Sequence, residues 1–187
     1  MTRVLIIVRG AIGLATIAWV AVAFAAGCNT PQVSANTRTR TADDSVEQVM
    51  FGARTVLVSS GTRRGEVAGD TVSSFDAATR FEFHGVHAMF TSPLGRPLGT
   101  LTARTGTYRV GHALFDVPGP VTIVSDTARR RLEGNTVRYD VVQNRLSSDS
   151  AFVATAGTRR LTGVGFTADP GLFSVKCLQS CTGSLGQ

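Results

Sequence analysis

An eight-residue pattern recurs four times in this chain and constrains the fold more than any other feature. It reads apolar, any residue, Gly, any residue, small, apolar, and occupies Val67–Ser74, Leu132–Tyr139 and Leu161–Ala168. Leu101–Tyr108 is a looser copy with Ala in place of Gly, and the four copies start 34, 31 and 29 residues apart. Such a recurrence indicates equivalent supersecondary units, which stack because one unit cannot bury its own apolar face. The repeats predict an elongated body rather than a compact domain built around a catalytic pocket.

Short runs of β-branched and aromatic residues accompany these octets. The runs are Val56–Val58, Phe81–Phe83, Val86–Phe90, Val121–Val124 and Ala151–Ala154, and Gly, Pro, Asn or Asp turn signals separate them. Regular short strands with turn punctuation predict an all-β sandwich, roll or barrel. Because Gly inside a strand commonly marks a bulge or a close approach of backbones, we interpret Gly69, Gly134 and Gly163 as bends in the fold.

The first 27 residues have the character of a signal peptide or membrane anchor. Arg3 and Arg9 precede the apolar stretch Ala11–Ala26, which is near the minimum length for a bilayer-spanning helix. Phe24–Cys28 resembles a bacterial lipobox, in which the Cys becomes lipidated. Two interpretations stay open, a lipid anchor at Cys28 or a retained single span. In both, residues 28–45 form a flexible tether, since they are polar and lack apolar periodicity.

The cysteines and charges give weaker indications. Setting Cys28 aside leaves Cys177 and Cys181, which can form a disulfide in an exported protein or remain free thiols. Residues 176–187 are expected to be a C-terminal tail. The net charge is +6, and Lys176 is the only lysine. Arginines precede the octets at 63–64, 96, 129–131 and 159–160. They either solvate turns or form an edge that faces acidic lipid or phosphate groups.

The sequence offers little catalytic chemistry. His84 and His87 are three residues apart on a predicted strand, where alternation directs them to opposite faces and prevents shared metal binding. The sequence contains no Gly-x-Ser-x-Gly elbow, Walker loop or dinucleotide fingerprint. We therefore expect no enzyme, no metal and no cofactor.

Five segments carry a resemblance to a known family. They are Gln48–Gly52, Leu101–Tyr108, Leu132–Asp140, Ser147–Val153 and Leu161–Phe166. In order and spacing they resemble the LptC family of lipopolysaccharide-transport proteins and the periplasmic repeats shared with LptA, over residues 46–175. The resemblance implies a single twisted, open β-jelly roll, two facing antiparallel sheets with an apolar groove between them. It also implies a place on the periplasmic face of the inner membrane. There the chain would receive lipopolysaccharide from an inner-membrane ABC transporter and pass it to an LptA-like roll through an open sheet edge.

Alternation along the strands predicts which side chains line that groove for lipid A acyl chains. They are Phe81, Phe83, Phe115, Val121, Ile123, Val137, Tyr139, Phe152, Val164 and Phe166. A closed, dry core would use the same residues, and the chain would then be a structural envelope lipoprotein that binds protein partners only. The sequence does not separate these alternatives, because both need the same pattern. Nucleic acid is not an expected partner.

Overall fold

The computed structural model describes residues 45–186 and contains a single β-sheet. The expected signal or anchor of residues 1–27, the lipid anchor Cys28 and nearly all of the 28–45 tether lie outside the described residues. The strands are β1 (Gln48–Ser59), β2 (Thr62–Phe75), β3 (Arg80–Thr91), β4 (Pro97–Arg109), β5 (Leu114–Ser125), β6 (Arg130–Asp140), β7 (Arg145–Ala156), β8 (Arg159–Ala168) and β9 (Val175–Gly183). The all-β prediction is confirmed.

The nine strands follow one another in the sheet in chain order, each antiparallel to the one before. Tight turns join most of them, and a short 3₁₀ helix, Val110–His112, precedes β5. This is the arrangement that the turn signals indicate, because short connections favour antiparallel neighbours. Within the described part of the chain, no helix is long and apolar enough to cross a bilayer.

A line of interruptions crosses the sheet near the middle of its strands. The ladders break between Ala103 and Thr107 in β4–β5, Pro118 and Val121 in β5–β6, Gly134 and Arg138 in β6–β7, and Ser148 and Ala151 in β7–β8. We call this line of breaks the seam. Bulges bend a strand and increase its local twist, so aligned bulges allow a whole sheet to fold along one line.

Two of the three octet glycines lie at register shifts of this kind. Gly134 is the last paired residue before the β6–β7 break, and Gly163 lies at a register shift between β8 and β9. A Cβ atom on Gly69 would come within 3.1 Å of the Phe83 ring, and one on Gly163 would collide with the Cys177 sulfur. Around Gly134 the nearest described heavy atom would be 3.7 Å from such a Cβ. A side chain at position 163 would therefore collide with its neighbours, one at position 69 would require Phe83 and Val72 to shift slightly, and position 134 has room for one.

Two aromatic residues demonstrate that the sheet is folded over at the seam. Phe90 pairs with Gly99 at the start of β4. Tyr139 pairs with Phe115 of β5, which in turn pairs with Tyr108 at the end of β4. In a flat sheet these two levels would be about 30 Å apart, at ~3.3 Å per residue. The Phe90 and Tyr139 ring centroids are 4.7 Å apart. One continuous sheet thus supplies both facing layers, which the sequence-based interpretation described as two sheets.

Arg130 binds backbone carbonyl groups in the loop between β8 and β9 and after β9. Its Nη1 donates to the carbonyl oxygens of Leu172 (2.8 Å) and Phe173 (2.7 Å), and its Nη2 donates to that of Gly186 (2.9 Å). Arg130 begins β6, while Leu172 and Phe173 belong to the loop after β8, so these bonds connect the two halves of the folded sheet. This arginine of the 129–131 cluster binds carbonyl groups rather than solvating a turn.

The expectation that residues 176–187 form a tail is wrong for most of the segment. Val175–Gly183 is the ninth strand and pairs with β8 from Ala168 to Leu161. Val175 and Cys177 pack against the hydrophobic core, and a disulfide joins Cys177 to Cys181. The strand forms because β8 offers an unpaired edge and an apolar margin, which are long-range conditions that local sequence does not reveal.

Candidate functional site

The layer between the two halves of the folded sheet is the first candidate site. Eight of the ten side chains predicted to line it belong to one buried cluster, each exposed by no more than 3%. They are Phe83, Phe115, Val121, Ile123, Val137, Tyr139, Phe152 and Phe166. The alternation of the strands thus brings together the residues that the sequence selects, and their mutual packing fills the space between the halves.

Phe83 and Phe115 illustrate how tightly this layer is packed. Their rings meet edge to face, with centroids 5.8 Å apart and an interplanar angle of 86°. They belong to β3 and β5, and Gly106 of the intervening strand β4 pairs directly with Phe83. A Cβ on Gly106 would be 2.7 Å from Cζ of Phe115. The missing side chain of Gly106 therefore permits the contact between the two rings.

The two remaining predicted residues lie differently. Phe81 is half-buried and packs against the margin of the cluster. Val164 is 37% exposed and does not belong to the cluster, so the inward orientation expected for it is wrong. Gly165 follows it with a φ of +71°, and this bulge reverses the alternation, so that Leu161 and Phe166 face inward while Val164 faces out.

Polar groups lie at the margin of the layer, and the sequence interpretation did not identify one of them, Arg64. The Tyr139 hydroxyl donates to Oδ1 of Asn144 at 2.8 Å, and burial raises the pKa of Tyr139 well above its usual range. The nearby Arg64 guanidinium opposes that shift in the Tyr139 pKa. Nε of Arg64 is buried without a hydrogen-bond partner among the described residues. The adjacent Arg63-Arg64 pair before the first octet was the signal available, and it did not indicate which arginine has a buried guanidinium nitrogen.

The outer surface has a polar cleft of about 680 Å³ beside the seam. Asp116 accepts hydrogen bonds there from Arg109 Nη1 (2.5 Å) and Arg138 Nε (2.6 Å). The bond to Asp116 and its charge raise the pKa of Arg138. Thr136 adds a hydroxyl that bonds to Ser150 at 2.7 Å. One carboxylate therefore pairs with both guanidinium groups in this cleft, and the cleft lining also includes Ser147, Ser148 and Asp149.

The histidines do not lie as the sequence argument expects. His84 and His87 are both exposed on the outer face, because Gly85 between them has a φ of +67° and shifts the alternation. They share a face, contrary to the prediction. Across residues 45–186, however, no group of three or more His, Cys, Asp or Glu side chains is close enough to hold a metal ion.

The two outer strands of the sheet are the second candidate site, since the resemblance implies docking through an open edge. β1 and β9 each have a neighbour on one side only within the described residues. β1 carries four exposed apolar side chains, Val49 (47%), Phe51 (81%), Val56 (49%) and Val58 (51%). β9 carries the disulfide and a register shift. The pairing of β1 with β2 also has a register shift, between Leu57 and Val58, so the two edges differ chiefly in exposed apolar surface and in the disulfide.

Comparison with protein-family models found no match, and comparison with curated proteins likewise found none.

Proposed function

We propose that this chain is a membrane-tethered lipid-transfer component of lipopolysaccharide export. In this proposal it receives lipopolysaccharide from an inner-membrane ABC transporter and passes it to an LptA-like periplasmic roll through an open sheet edge. The observation that carries the proposal is one continuous sheet folded along a seam, with an apolar layer that runs across all its strands. Such a layer suits acyl chains, whose burial contributes about 25 cal/mol per Å² of apolar surface.

Loading requires the two halves of the sheet to separate, because the interior side chains fill the layer in the empty protein. The seam supports such a movement, since the backbone ladders are already interrupted along it. Acyl chains would then replace the aromatic contacts that Phe83, Phe115 and Phe152 make with their neighbours. The exchange substitutes one apolar contact for another, so its net cost is modest compared with opening the layer to water.

A structural envelope protein with a closed core is the second candidate function. The near-complete burial of the interior residues favours it, because a permanent core has the same packing. Such a protein would act through its outer surface and edges alone. The two proposals differ in one respect, namely whether lipid ever enters the layer between the halves.

Depletion of the protein in its own cells tests the proposed role. We expect surface lipopolysaccharide to fall before growth stops, and to recover when the full chain is supplied again. A variant with Phe51→Lys and Val56→Lys, exposed positions outside the interior, serves as a comparison for the contribution of the β1 edge. Unchanged surface lipopolysaccharide on depletion would contradict lipid transport and favour the structural role.

A further inference from the structure

We propose that one side of the folded sheet docks on the surface of an anionic phospholipid bilayer, where arginine side chains bind the headgroup phosphates. The proposal rests on the membrane tether of the proposed function and does not depend on lipopolysaccharide transport. The observation that carries it is the uneven distribution of charge between the two ends of the strands.

The turns at one end of the strands are rich in arginine. Because consecutive strands are antiparallel, the turns β1–β2, β3–β4, β5–β6 and β7–β8 share one end of the sheet, and the other four connections share the opposite end. Taken with the first three residues of the strand that follows each turn, the first set forms what we call the arginine lip, residues 60–64, 92–99, 126–132 and 157–161. The second set forms the facing lip, residues 76–82, 110–116, 141–147 and 169–177.

The two lips differ strongly in charge. The arginine lip contains eight arginines and one carboxylate, Asp126. The facing lip contains three basic residues, Lys and Arg together, and four carboxylates. Grouped like charges repel one another, and an anionic partner removes that repulsion. The arginine lip is therefore the part of the described surface best suited to a negatively charged partner.

Four arginines of this lip are exposed and have no carboxylate within 4.0 Å among residues 45–186. They are Arg96, Arg129, Arg159 and Arg160. The others are engaged within the protein: Arg63 and Arg131 bind glutamates, and Arg130 binds carbonyl groups. The four exposed guanidinium groups remain available to bind phosphate, which they can do through two oxygens at once.

A pocket of about 320 Å³ lies between two of the arginine-bearing turns. Its lining includes three arginines of the β5–β6 turn and a single carboxylate, that of Asp126, with Thr155 and Gly157 on the side of β7 and β8. The excess of guanidinium groups over carboxylates favours an anionic group in this pocket.

The two lips meet on the side of the molecule away from the seam. Arg130 of the arginine lip donates to the carbonyl oxygens of Leu172 and Phe173 in the facing lip. The facing lip presents exposed apolar side chains at three connections, Val110 (46%), Val142 (60%) and Phe173 (53%). Apolar side chains beside cationic ones suit a bilayer surface, where the former enter the acyl boundary and the latter bind headgroups.

The described chain also begins on this side. The Glu47 N–H donates to the carbonyl oxygen of Ser74 at 3.0 Å, and the Glu47 carboxylate accepts from the Ala77 N–H at 2.8 Å. Residues 1–44 therefore join the sheet beside the β2–β3 turn of the facing lip. An anchor in residues 1–27 would thus be attached on the side that carries both lips.

Arginine modification by phenylglyoxal, mapped by mass spectrometry, tests the docking on the full chain in bilayer nanodiscs. One set of discs is phosphatidylcholine alone, and the other is phosphatidylcholine mixed with phosphatidylglycerol. Arg96, Arg129, Arg159 and Arg160 should react about threefold more slowly in the anionic discs. Arg54 and Arg104, exposed outside the lips, should react equally in both. Salt at about 1 M, where the Debye length is ~3 Å, should abolish the difference.

Removing two charges of the arginine lip should weaken the docking. Each basic residue near an anionic surface changes binding about fivefold, so Arg129→Gln with Arg160→Gln should remove most of the protection of Arg96 and Arg159. Arg54→Gln with Arg104→Gln is the matched control, which removes the same charge outside the lips and should keep wild-type protection. Circular dichroism checks the fold of both variants. Equal protection in the two variants would overturn the proposal.

Failure of the docking and failure of the tether give different results. A chain that stays in both kinds of disc without protection of the lip arginines would overturn the docking and leave the tether intact. A chain that binds only anionic discs, with the lip arginines protected, would support the docking and contradict the tether. A chain that stays in neither kind would overturn both. Protection of equal size in neutral discs would also overturn docking on anionic headgroups.

Discussion

Phe83 and Phe115 meet edge to face across Gly106, although they belong to strands that are not neighbours in the sheet. The contact depends on the absence of a side chain on the intervening strand. Gly106 takes the sixth, apolar position in the Leu101–Tyr108 copy of the octet, so a glycine outside the repeated Gly position also shapes the packing of the interior.

Replacing Gly106 with Ala should destabilise the protein by about 1–3 kcal/mol, the usual effect of overpacking a core. The added methyl group would lie 2.7 Å from the Phe115 ring, so the aromatic pair must move. Gly134→Ala is the matched control, since the nearest described heavy atom to its Cβ would be 3.7 Å away. We expect its free energy of unfolding to change by less than about 0.5 kcal/mol. Urea unfolding compares the two, and equal losses would contradict the packing described around Gly106.

Arg130→Gln should loosen the loop after β8 and the C-terminal residues. Three carbonyl groups lose their charged donor, and we expect a loss of about 2 kcal/mol in the free energy of unfolding. Arg129→Gln, at the exposed neighbouring residue, should have little effect. Hydrogen exchange should show the loss of protection in β9 and the loop of the Arg130 variant. Unchanged exchange there would mean that these bonds do not fasten the two halves.

Stability should fall in alkaline solution because of Tyr139. Burial raises its folded-state pKa above the ordinary value of about 10, so the neutral phenol stabilises the fold. This contribution is complete below about pH 10 and is lost as pH rises toward the folded-state pKa. Tyr139→Phe should cost about 1 kcal/mol at pH 8, through the lost bond to Asn144, and should reduce the alkaline decline. Urea unfolding at pH 8 and 11 measures both, and an equal alkaline decline in the variant would contradict this assignment.

Removing the disulfide should affect β9 locally. A bond that closes a loop this short contributes about 2 kcal/mol by restricting the unfolded chain. We expect the Cys177→Ser, Cys181→Ser variant to lose amide protection in β9, while β4 and β5 keep theirs. Loss of protection throughout the sheet would instead mean that β9 is needed for the whole fold.

The sequence predicted much of this architecture. Alternation and turn signals gave the all-β class, and the octets located bends at Gly134 and Gly163. Its failures have a common cause. The positive-φ residues Gly85 and Gly165 reverse the alternation, which changed the faces of His87 and Val164. The inward–outward alternation read from the sequence does not reveal such a reversal, because the backbone angle at the glycine depends on pairing with distant strands.

The ninth strand escaped prediction for a related reason. Val175–Gly183 is polar and short of β-branched residues, and it becomes a strand because β8 offers it an edge. The burial of Arg64 Nε also depends on contacts across the fold. Arg64 is the extra residue at the register shift between β1 and β2, and it lies close enough to Tyr139 for its charge to act on the Tyr139 pKa. Sequence reasoning therefore identified the side chains of the interior better than the strands and charges at its margins.

Photo-crosslinking in cells tests most directly whether lipid enters the interior. A photoreactive aromatic residue at Phe83, Ile123 or Phe152 should form adducts with lipopolysaccharide, and one at the exposed Leu94 should form none. Thermal melting confirms that each labelled protein is folded. Adducts at the interior positions are the result that our account predicts. Folded proteins that give no adduct at any interior position, while lipopolysaccharide export is active, would contradict it.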